Sequence, residues 1–250
     1  MILVPSKNKI ISFISVLLLL VIWKIISIIY NSDLILPSPE TTLISILKLV
    51  LSKNFLLIVG ITILRGLIGF SISILLGVAL GIFAGVNETF HAFLKPILIS
   101  IRSTPVISLI LLALIWFKIN TVPIFIGFLT MFPFICTNVI DGIRNVDKDL
   151  IEMSHFYKLN KINIVKNLYI PAITPYIFSG ASSAMGIGWR AIIIGEVLSQ
   201  PQYGIGTFMQ TAQTYLLVNE VIAWTLIAIG ISYMFEVLIR KIEKLIIDWK

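Results

Sequence analysis

The sequence has little of three residue types that most enzymes and secreted domains depend on: cysteine, histidine and charged side chains. It holds one cysteine, Cys136, and two histidines, His91 and His155, in 250 residues. A single cysteine cannot form a disulfide within the chain, and the apolar stretch around it indicates a small buried residue. The two isolated histidines lack the partners that a metal or catalytic site requires. The sequence therefore excludes an intrachain disulfide framework and predicts neither a catalytic nor a metal centre.

Charged residues are scarce, whereas apolar residues are abundant. Only 12% of the residues are charged and 58% are hydrophobic. A typical soluble domain has about 25% charged and about 45–50% apolar residues, and a soluble fold of this size could not bury so much apolar surface in one core. The formal net charge is +7, but the basic residues flank apolar runs, which indicates membrane topology rather than nucleic-acid binding. We therefore expect an integral membrane protein with no nucleic-acid partner.

Apolar runs long enough to cross a bilayer recur along the chain. A transmembrane helix needs about 20 mostly apolar residues, and a backbone in lipid must satisfy its own hydrogen bonds, which favours helices. The sequence predicts an all-α, polytopic membrane bundle with about six transmembrane helices. The first run, Ile10–Tyr30, is longer than the apolar segment of about 7–15 residues in a signal peptide, so we expect it to be retained. The single predicted transmembrane domain, 1–250, has predicted spans within 10–30, 56–86, 97–117, 122–140, 171–198 and 221–239.

The basic residues outside these spans predict an orientation. With the N-terminus in the cytoplasm, twelve lysines and arginines fall on the cytoplasmic side and three on the outer side. This asymmetry is the positive-inside pattern, and it predicts that both termini are cytoplasmic. The outer residues are Lys48, Lys53 and Lys118. The cytoplasmic residues are Lys7, Lys9, Lys95, Arg144, Lys148, Lys158, Lys161, Lys166, Arg240, Lys241, Lys244 and Lys250.

Two outer segments and one strip of small residues predict local structure. Pro39 and Glu40 begin a short amphipathic surface helix, and residues 200–219, which carry no charge, form a surface or re-entrant loop with a short helix.

Small residues every four positions let another helix approach closely, so we expect packing inside a bundle, with a role in opening and closing as the alternative. The second span carries Gly69, Ser73, Gly77, Gly81 and Gly85, and the fifth carries Gly180, Ala184 and Gly188.

The longest predicted cytoplasmic stretch, residues 142–170, contains signals for two short helices joined by a turn. Asp149 followed by Glu152 is typical of a helix N-terminus, where each side chain can accept from a free backbone amide. Asn160 is a good N-cap for a second helix, and Pro171 marks the start of the fifth span.

This stretch resembles the E-A-A-x3-G-x9-I-x-L-P loop in permeases of ATP-binding-cassette importers. Glu152 and Pro171 keep the glutamate and proline, while Leu168 and Ile170 stand at the two aliphatic positions in register. Met153 and Ser154 replace the alanines, and Lys158 replaces the glycine. A lysine in a left-handed turn costs about 1–2 kcal/mol, so we expect the turn to shift towards Asn160.

The resemblance extends along nearly the whole chain. Further residues, in order and spacing, are similar to the nitrate/sulfonate/taurine-type permeases, namely Leu36–Pro39, Gly69, Phe70, Gly77, Gly81, Arg102–Pro105, Trp116, Phe117, Asn138, Gly142, Trp189 and Glu196. It implies a multi-pass subunit of the bacterial cytoplasmic (inner) membrane that passes a small solute, with sulfonate, nitrate or taurine as examples.

The resemblance also implies partners: two ATP-binding-cassette ATPase subunits, a second permease copy or homologue, and an extracytoplasmic substrate-binding protein. The ATPase subunits would bind ATP-Mg, because this chain lacks a Gly-x4-Gly-Lys-Ser/Thr phosphate loop, and we expect no cofactor and no enzymatic activity in the chain itself. Coupling to the ATPase would run through residues 149–170, with Glu152 either pairing with it or only capping a helix. The predicted coupling residues are Glu152, Met153, Ser154, Lys158, Asn160 and Pro171.

Ionisable residues within the predicted spans are costly and mark functional positions by default. Lys24 and Arg65 are expected to extend to an interface. Arg190 and Glu196 are six residues apart and do not share a helix face, so one is expected to line the path while the other pairs with another helix. A positive path suits an anionic solute, although structural pairing explains these charges equally well. The candidate path residues are Arg190, Glu196, Arg102 and Asn138.

Other classes of membrane protein fit the sequence less well. The main alternative, a secondary transporter driven by an ion gradient, predicts inverted repeats and mid-membrane carboxylates, whereas the spans show no convincing repeat and Glu196 is the one strong acidic candidate. An intramembrane enzyme needs a clustered catalytic site. A purely structural scaffold leaves the pattern from Glu152 to Pro171 unexplained.

Overall fold

The computed structural model describes residues 7–247, apart from the side chains at 7–9, 12, 148, 155, 161, 162 and 247. Lys250, one of the predicted cytoplasmic cations, lies outside this range, as do the side chains of Lys7, Lys9, Lys148, His155 and Lys161. The described chain is mostly helical, with no β-strand in that range. Its helices are α1 (Lys7–Tyr30), α2 (Pro39–Val50), α3 (Phe55–Val86), α4 (Glu88–Ser103), α5 (Val106–Trp116), α6 (Val122–Arg144), α7 (Lys148–Phe156), α8 (Lys161–Ile164), a π-helical turn (Val165–Tyr169), α9 (Ile170–Ser199), α10 (Ile205–Thr214) and α11 (Val218–Ile247).

Five helical segments of the described chain are long and apolar enough to cross a membrane. They are α1, α3, α6, α9 with its preceding π turn, and α11. The pair α4 and α5 would make a sixth span if the two helices count as one. The predicted all-α membrane bundle of about six spans is therefore confirmed.

The third predicted span, within 97–117, is not one continuous helix. Helices α4 and α5 meet at a bend of 98°. Thr104 is extended there, with φ −73° and ψ 130°, and Pro105 is the N-cap of α5. Proline has no backbone N–H and disfavours a helical conformation in the residue before it, which accounts for the break.

The chain divides into two compact units, the first formed by the chain up to Leu57 together with Phe208–Ala228. In this unit α2 begins after the N-cap Ser38 and buries Thr42 and Ser45, while Leu43, Ile44 and Leu47 are exposed. The predicted short helix is present, with its polar side turned inward. Asn219 Nδ2 donates to Ser45 Oγ at 2.9 Å, which ties the start of α11 to α2.

Lys24 pairs with Glu40 within the same unit. Its ammonium lies 2.8 Å from the Glu40 carboxylate, and this hydrogen bond is the main reason that the pKa of Glu40 falls to about 2. Both side chains are exposed, so this is an exposed ion pair between α1 and α2. The extension of Lys24 to a membrane interface stays a prediction.

The second unit comprises Ile58–Thr207 together with the chain from Ile229 onward. In it the small-residue strip of α3 packs directly on α6. A Cβ placed at Gly77 would lie 2.9 Å from the Ile135 side chain, and one at Gly81 would lie 2.7 Å from that of Val139. Ser73 Oγ lies 3.0 Å from the Phe128 carbonyl and can donate to it across the same contact. The two backbones therefore approach as closely as their side chains permit.

Helix α6 also packs along α9, and small residues again mark the contact. A Cβ at Gly180 of α9 would lie 2.8 Å from Asn138, and one at Gly142 of α6 would lie 2.9 Å from Tyr176. Ile126, Ile135 and Val139 of α6 are fully buried. Helix α6 is therefore the central element of this unit, between α3 and α9.

Candidate coupling surface and path residues

The connection between α6 and α9 holds the two short helices that the sequence predicts. Helix α7 begins at Lys148, and Asp147 is its N-cap, because Asp147 Oδ1 accepts a hydrogen bond from the Asp149 amide at 2.9 Å. The interpretation of Asp149 as the helix start is wrong by two residues. Asp149 lies in the first turn instead, where a negative charge interacts favourably with the helix dipole.

The turn after α7 is left-handed at Lys158, whose φ is +50°. The Leu159 amide donates to the Ser154 carbonyl at 3.1 Å, which is the six-to-one hydrogen bond of a Schellman C-cap. Ser154 is buried and its hydroxyl donates to the Ile151 carbonyl at 2.6 Å. The expected shift of the turn towards Asn160 is wrong. The hydrogen bond from the Leu159 amide to the Ser154 carbonyl fixes the left-handed residue at position 158, where the importer loops that this stretch resembles have glycine.

Asn160 is the N-cap of α8, as predicted: its Oδ1 accepts from the Asn163 amide at 2.7 Å. Helix α8 runs into the π-helical turn Val165–Tyr169, which closes with a hydrogen bond from the Ile170 amide to the Val165 carbonyl. Pro171 follows at once. A proline ring clashes with the carbonyl four residues earlier, and a wider turn relieves that clash.

Helix α7 presents acidic and aromatic side chains together on one exposed surface. We call this surface, formed by Asp149, Glu152, Met153, Phe156 and Tyr157, the α7 surface. It encloses a shallow concavity of about 520 Å³. Phe156 is 83% exposed and Tyr157 69% exposed, and their rings are perpendicular with centroids 5.8 Å apart. Within the described part of the chain, Glu152 forms no ion pair.

Glu196 lies at the centre of a buried polar cluster in the second unit. Its side chain is 0% exposed, and its Oε1 accepts from Arg65 Nη1 at 2.6 Å. The Gly206 amide donates to its Oε2 at 2.9 Å, and the Thr62 hydroxyl lies 3.0 and 3.1 Å from the two carboxylate oxygens. The Thr62 oxygen in turn accepts from the Ile205 amide at 2.9 Å. The carboxylate thus holds α3, α9 and the start of α10 together.

Arg65 is the cationic partner in this cluster. Besides Glu196, its guanidinium donates to the Tyr203 carbonyl at 2.7 Å and to Asn120 Oδ1 at 3.2 Å. The prediction that Arg65 extends to an interface is wrong, because a buried carboxylate lies within reach. Glu196 is enclosed and does not line an open path in this structure. Of the two charged residues Arg190 and Glu196, Glu196 is the one that pairs with another helix. Thr62 and Arg65 are three residues apart on α3 and so share a helix face. This spacing was the sequence signal that could have indicated a buried polar partner for Arg65.

The other candidate path residues lie elsewhere in the second unit. The Arg102 guanidinium lies over the Phe134 ring at 4.8 Å, and Asn138 Nδ2 donates to the Phe134 carbonyl at 2.8 Å. Arg190 is exposed, and its Nε donates to the carbonyl of Gly186 on its own helix at 3.3 Å. Arg102 and Asn138 thus both contact Phe134 of α6, whereas Arg190 lies on the surface of α9.

A helical bundle with several membrane-length helices and two short helices between its fourth and fifth spans defines a multi-pass membrane protein. Residues 77–248 match the family model described as "Binding-protein-dependent transport system inner membrane component". The match covers more than half of the chain, which therefore belongs to this family.

Related proteins agree with the family match. The nitrate import permease protein NrtB of Synechocystis sp. is 30% identical over 245 residues, covering 94% of this chain and 88% of that protein. The taurine transport system permease protein TauC of Escherichia coli is 24% identical over 93% of this chain and 86% of that protein. The bicarbonate transport system permease protein CmpB of Synechococcus elongatus is 31% identical over 62% of this chain and 56% of that protein. The predicted identity as an importer permease subunit is confirmed, and these matches do not support the gradient-driven alternative.

Proposed function

We propose that this chain forms the solute path of an ATP-driven importer, and that the α7 surface docks into a groove of an ATP-binding-cassette ATPase subunit. The observation that carries this proposal is the exposure of Met153, Phe156 and Tyr157 outside the membrane-length helices. Large apolar side chains grouped on an exposed surface mark interaction sites. Aromatic residues contribute most to binding when a partner covers them.

The residues around the α7 surface support a docking role by fixing its shape. Ser154 and Lys158 form the C-cap of α7, and Asn160 caps α8, so both short helices have defined ends. Glu152 and Asp149 add negative charge beside the aromatic rings. A groove that fits this surface would offer an apolar pocket with a basic rim. Pro171 begins the span that would carry the movement into the membrane.

The proposed assembly contains a second permease copy or homologue, two ATPase subunits that bind ATP-Mg, and an extracytoplasmic binding protein. The chain itself would catalyse no reaction. We place it in the bacterial cytoplasmic membrane with both termini in the cytoplasm, which the positive-inside distribution supports. In this orientation the α7 surface is cytoplasmic, where the ATPase subunits would be.

The proposed solute is a small anion, and Arg190 is the residue that supports this choice. It is exposed on a membrane-length helix and has no ion-pair partner among the described residues. An arginine facing lipid is costly, so this surface of α9 would face a water-filled path or another subunit. Arg102 and Asn138 are the further candidates. The related proteins described above are named for nitrate, taurine and bicarbonate.

The test is co-purification from membranes with a cognate ATPase subunit. Wild-type chain should retain the ATPase, Glu152→Ala should lose coupled ATP hydrolysis, and Phe156→Ala with Tyr157→Ala should lose the complex. Phe13→Ala on α1, which is 69% exposed, is the matched control and should retain the complex. If no ATPase associates with the wild-type chain, or if the control loses it equally, the docking proposal fails.

A further inference from the structure

A second feature lies away from the α7 surface, where a cleft of about 320 Å³ opens between α4 and the end of α6. Lys95 and Arg102 line it from α4, and Arg144 lines it from α6, with Asp141 as the one carboxylate in its wall. With His91 neutral, three cations and one anion leave this wall with a net charge of +2. We call it the α4–α6 cleft.

The sequence places these side chains on facing helix surfaces. His91, Lys95 and Arg102 are four and seven residues apart, so they follow one face of α4, while Asp141 and Arg144 are three apart on α6. Like charges that face each other repel, so packing must hold the helices together. Leu98 and Ile140, both buried, supply it as members of one apolar cluster beneath the charges.

The cations of the cleft are only partly compensated by Asp141, the one carboxylate of the wall. Lys95, Arg102 and Arg144 form no ion pair with any residue in the described part of the chain. The Arg102 guanidinium carbon lies 4.8 Å from the centre of the Phe134 ring, and a cation–π contact does not use up the N–H groups as hydrogen-bond donors. The positive charge of the wall therefore remains available to a ligand.

The chemistry of the lining defines the ligand class. Arginine forks match the oxygens of phosphate, sulfonate and carboxylate groups with paired hydrogen bonds, and a cleft of about 300 Å³ or more accommodates a small organic molecule. Basic pockets between membrane helices also hold anionic lipid headgroups. We propose that the α4–α6 cleft binds an organic phosphate or sulfonate, with the oxyanion on Lys95, Arg102 and Arg144 and the apolar part against Leu98 and Ile140.

Two sources carry this chemistry, a phospholipid headgroup and a small dissolved anion, and the test separates them. The full chain is purified in phosphatidylcholine nanodiscs. One arm adds phosphatidylglycerol and measures its retention by native mass spectrometry. The other arm titrates hexanesulfonate by calorimetry. Binding in the first arm alone identifies a lipid site, binding in the second alone identifies a solute site, and binding in both shows that the cleft accepts either.

The variants tie that binding to the cleft. Lys95→Gln with Arg144→Gln should weaken it at least about tenfold, because a hydrogen bond to a charged group contributes on the order of a factor of ten. Asp141→Asn should tighten it about threefold or more, since it removes the opposing charge; misfolding cannot produce that gain. Lys241→Gln with Lys244→Gln, two exposed residues of α11, is the control with the same change in net charge.

The proposal is overturned if wild-type chain binds neither probe. It is also overturned if the control pair reduces binding as much as the cleft pair. Neither arm needs an ATPase, so these outcomes are independent of the docking experiment.

Discussion

At the scale of single residues, the buried polar cluster depends on Glu196 for the stability of the second unit. Its carboxylate is fully enclosed and accepts from Arg65, Thr62 and Gly206. Removing one partner of a buried ion pair leaves an uncompensated charge away from water, which costs more than the pair itself contributes. The stability of the second unit therefore depends on both partners being present together.

We expect Glu196→Ala to lower the free energy of unfolding by about 3–5 kcal/mol. Thermal unfolding in detergent measures the effect. Arg240→Ala is the control, because it breaks the exposed Arg240–Glu236 pair, and exposed pairs contribute about 0–1 kcal/mol. The double variant Arg65→Met with Glu196→Met should recover most of the loss. Equal stability of Glu196→Ala and Arg240→Ala would contradict this interpretation of the cluster.

Lys158 allows a test in which the substitution is expected to stabilise the protein rather than destabilise it. Its left-handed backbone costs a lysine about 1–2 kcal/mol relative to glycine. Lys158→Gly should therefore raise the protection of α7 and α8 amides in hydrogen exchange. Lys166→Gly, in the π-helical turn where φ is not left-handed, should lower protection, since glycine costs about 1 kcal/mol in a helix. A loss of protection in both variants would show that the turn is not held as described.

At the scale of helices, the α3–α6 contact depends on the absence of side chains. A Cβ at Gly81 would lie 2.7 Å from Val139 and 3.0 Å from the Cys136 carbonyl oxygen. Such a contact forces the helices apart. Gly60 lies on the same helix, and a Cβ added there would meet no atom within 4 Å in the described chain apart from its two chain neighbours and the adjoining backbone of its own helix.

Gly81→Ala should therefore destabilise the protein by about 1–3 kcal/mol, the usual cost of overpacking. Gly60→Ala should be neutral or stabilising, by about 0.5–1 kcal/mol, because alanine is the better helix former. Thermal unfolding of the two variants side by side measures the difference. If Gly81→Ala is as stable as Gly60→Ala, the two helices do not pack as closely as the structure shows.

The positions of the helices could be predicted from the sequence, but the contacts between residues of different helices could not. Apolar length alone identified the spans, because the bilayer sets that length. It could not show that Pro105 breaks the third one, since the apolar run continues past the proline. Arg65 and Glu196 were recognisable as intramembrane charges, but they are 131 residues apart in sequence. Only the packing of α3 against α9 brings them into contact.

The connection between α6 and α9 was also predicted in part: the positions of its short helices followed from the sequence, but the conformation of its turn did not. The motif from Glu152 to Pro171 placed both short helices, and Asn160 caps the second. Intrinsic backbone preference misplaced the turn, because it is a weaker determinant than the hydrogen bond from Leu159 to Ser154. The exposed aromatic pair gave no periodic signal of its own, since two adjacent residues do not define a face.

At the scale of the whole molecule, the basic residues predict the orientation in the membrane. Cys136 is buried, so the wild-type chain should react little with membrane-impermeant thiol reagents. We expect Lys53→Cys to be labelled from outside intact cells and Lys166→Cys only after the membrane is permeabilised. The reverse pattern would invert the predicted topology.

Transport by the whole assembly should depend on Arg190. Replacing it by glutamine removes the positive charge with little change in size, so uptake of an anionic solute should fall at least about tenfold, with lysine restoring part of it. Uptake by reconstituted vesicles, with ATPase association as the control for assembly, provides the measurement. Full uptake by Arg190→Gln would exclude this residue from the path.

The π-helical turn between α8 and α9 has a mechanical consequence. It accommodates one residue more per turn than an α-helix, and each residue of an α-helix corresponds to about 100° of rotation. If Val165–Tyr169 tightened to α-helical geometry, α7 and α8 would rotate by about that angle about the α9 axis without breaking the chain. Pro171, which donates no backbone hydrogen bond, lowers the cost of exchanging one pattern for the other. The segment would then act as a swivel, a joint that transmits pull along the helix while leaving twist adjustable.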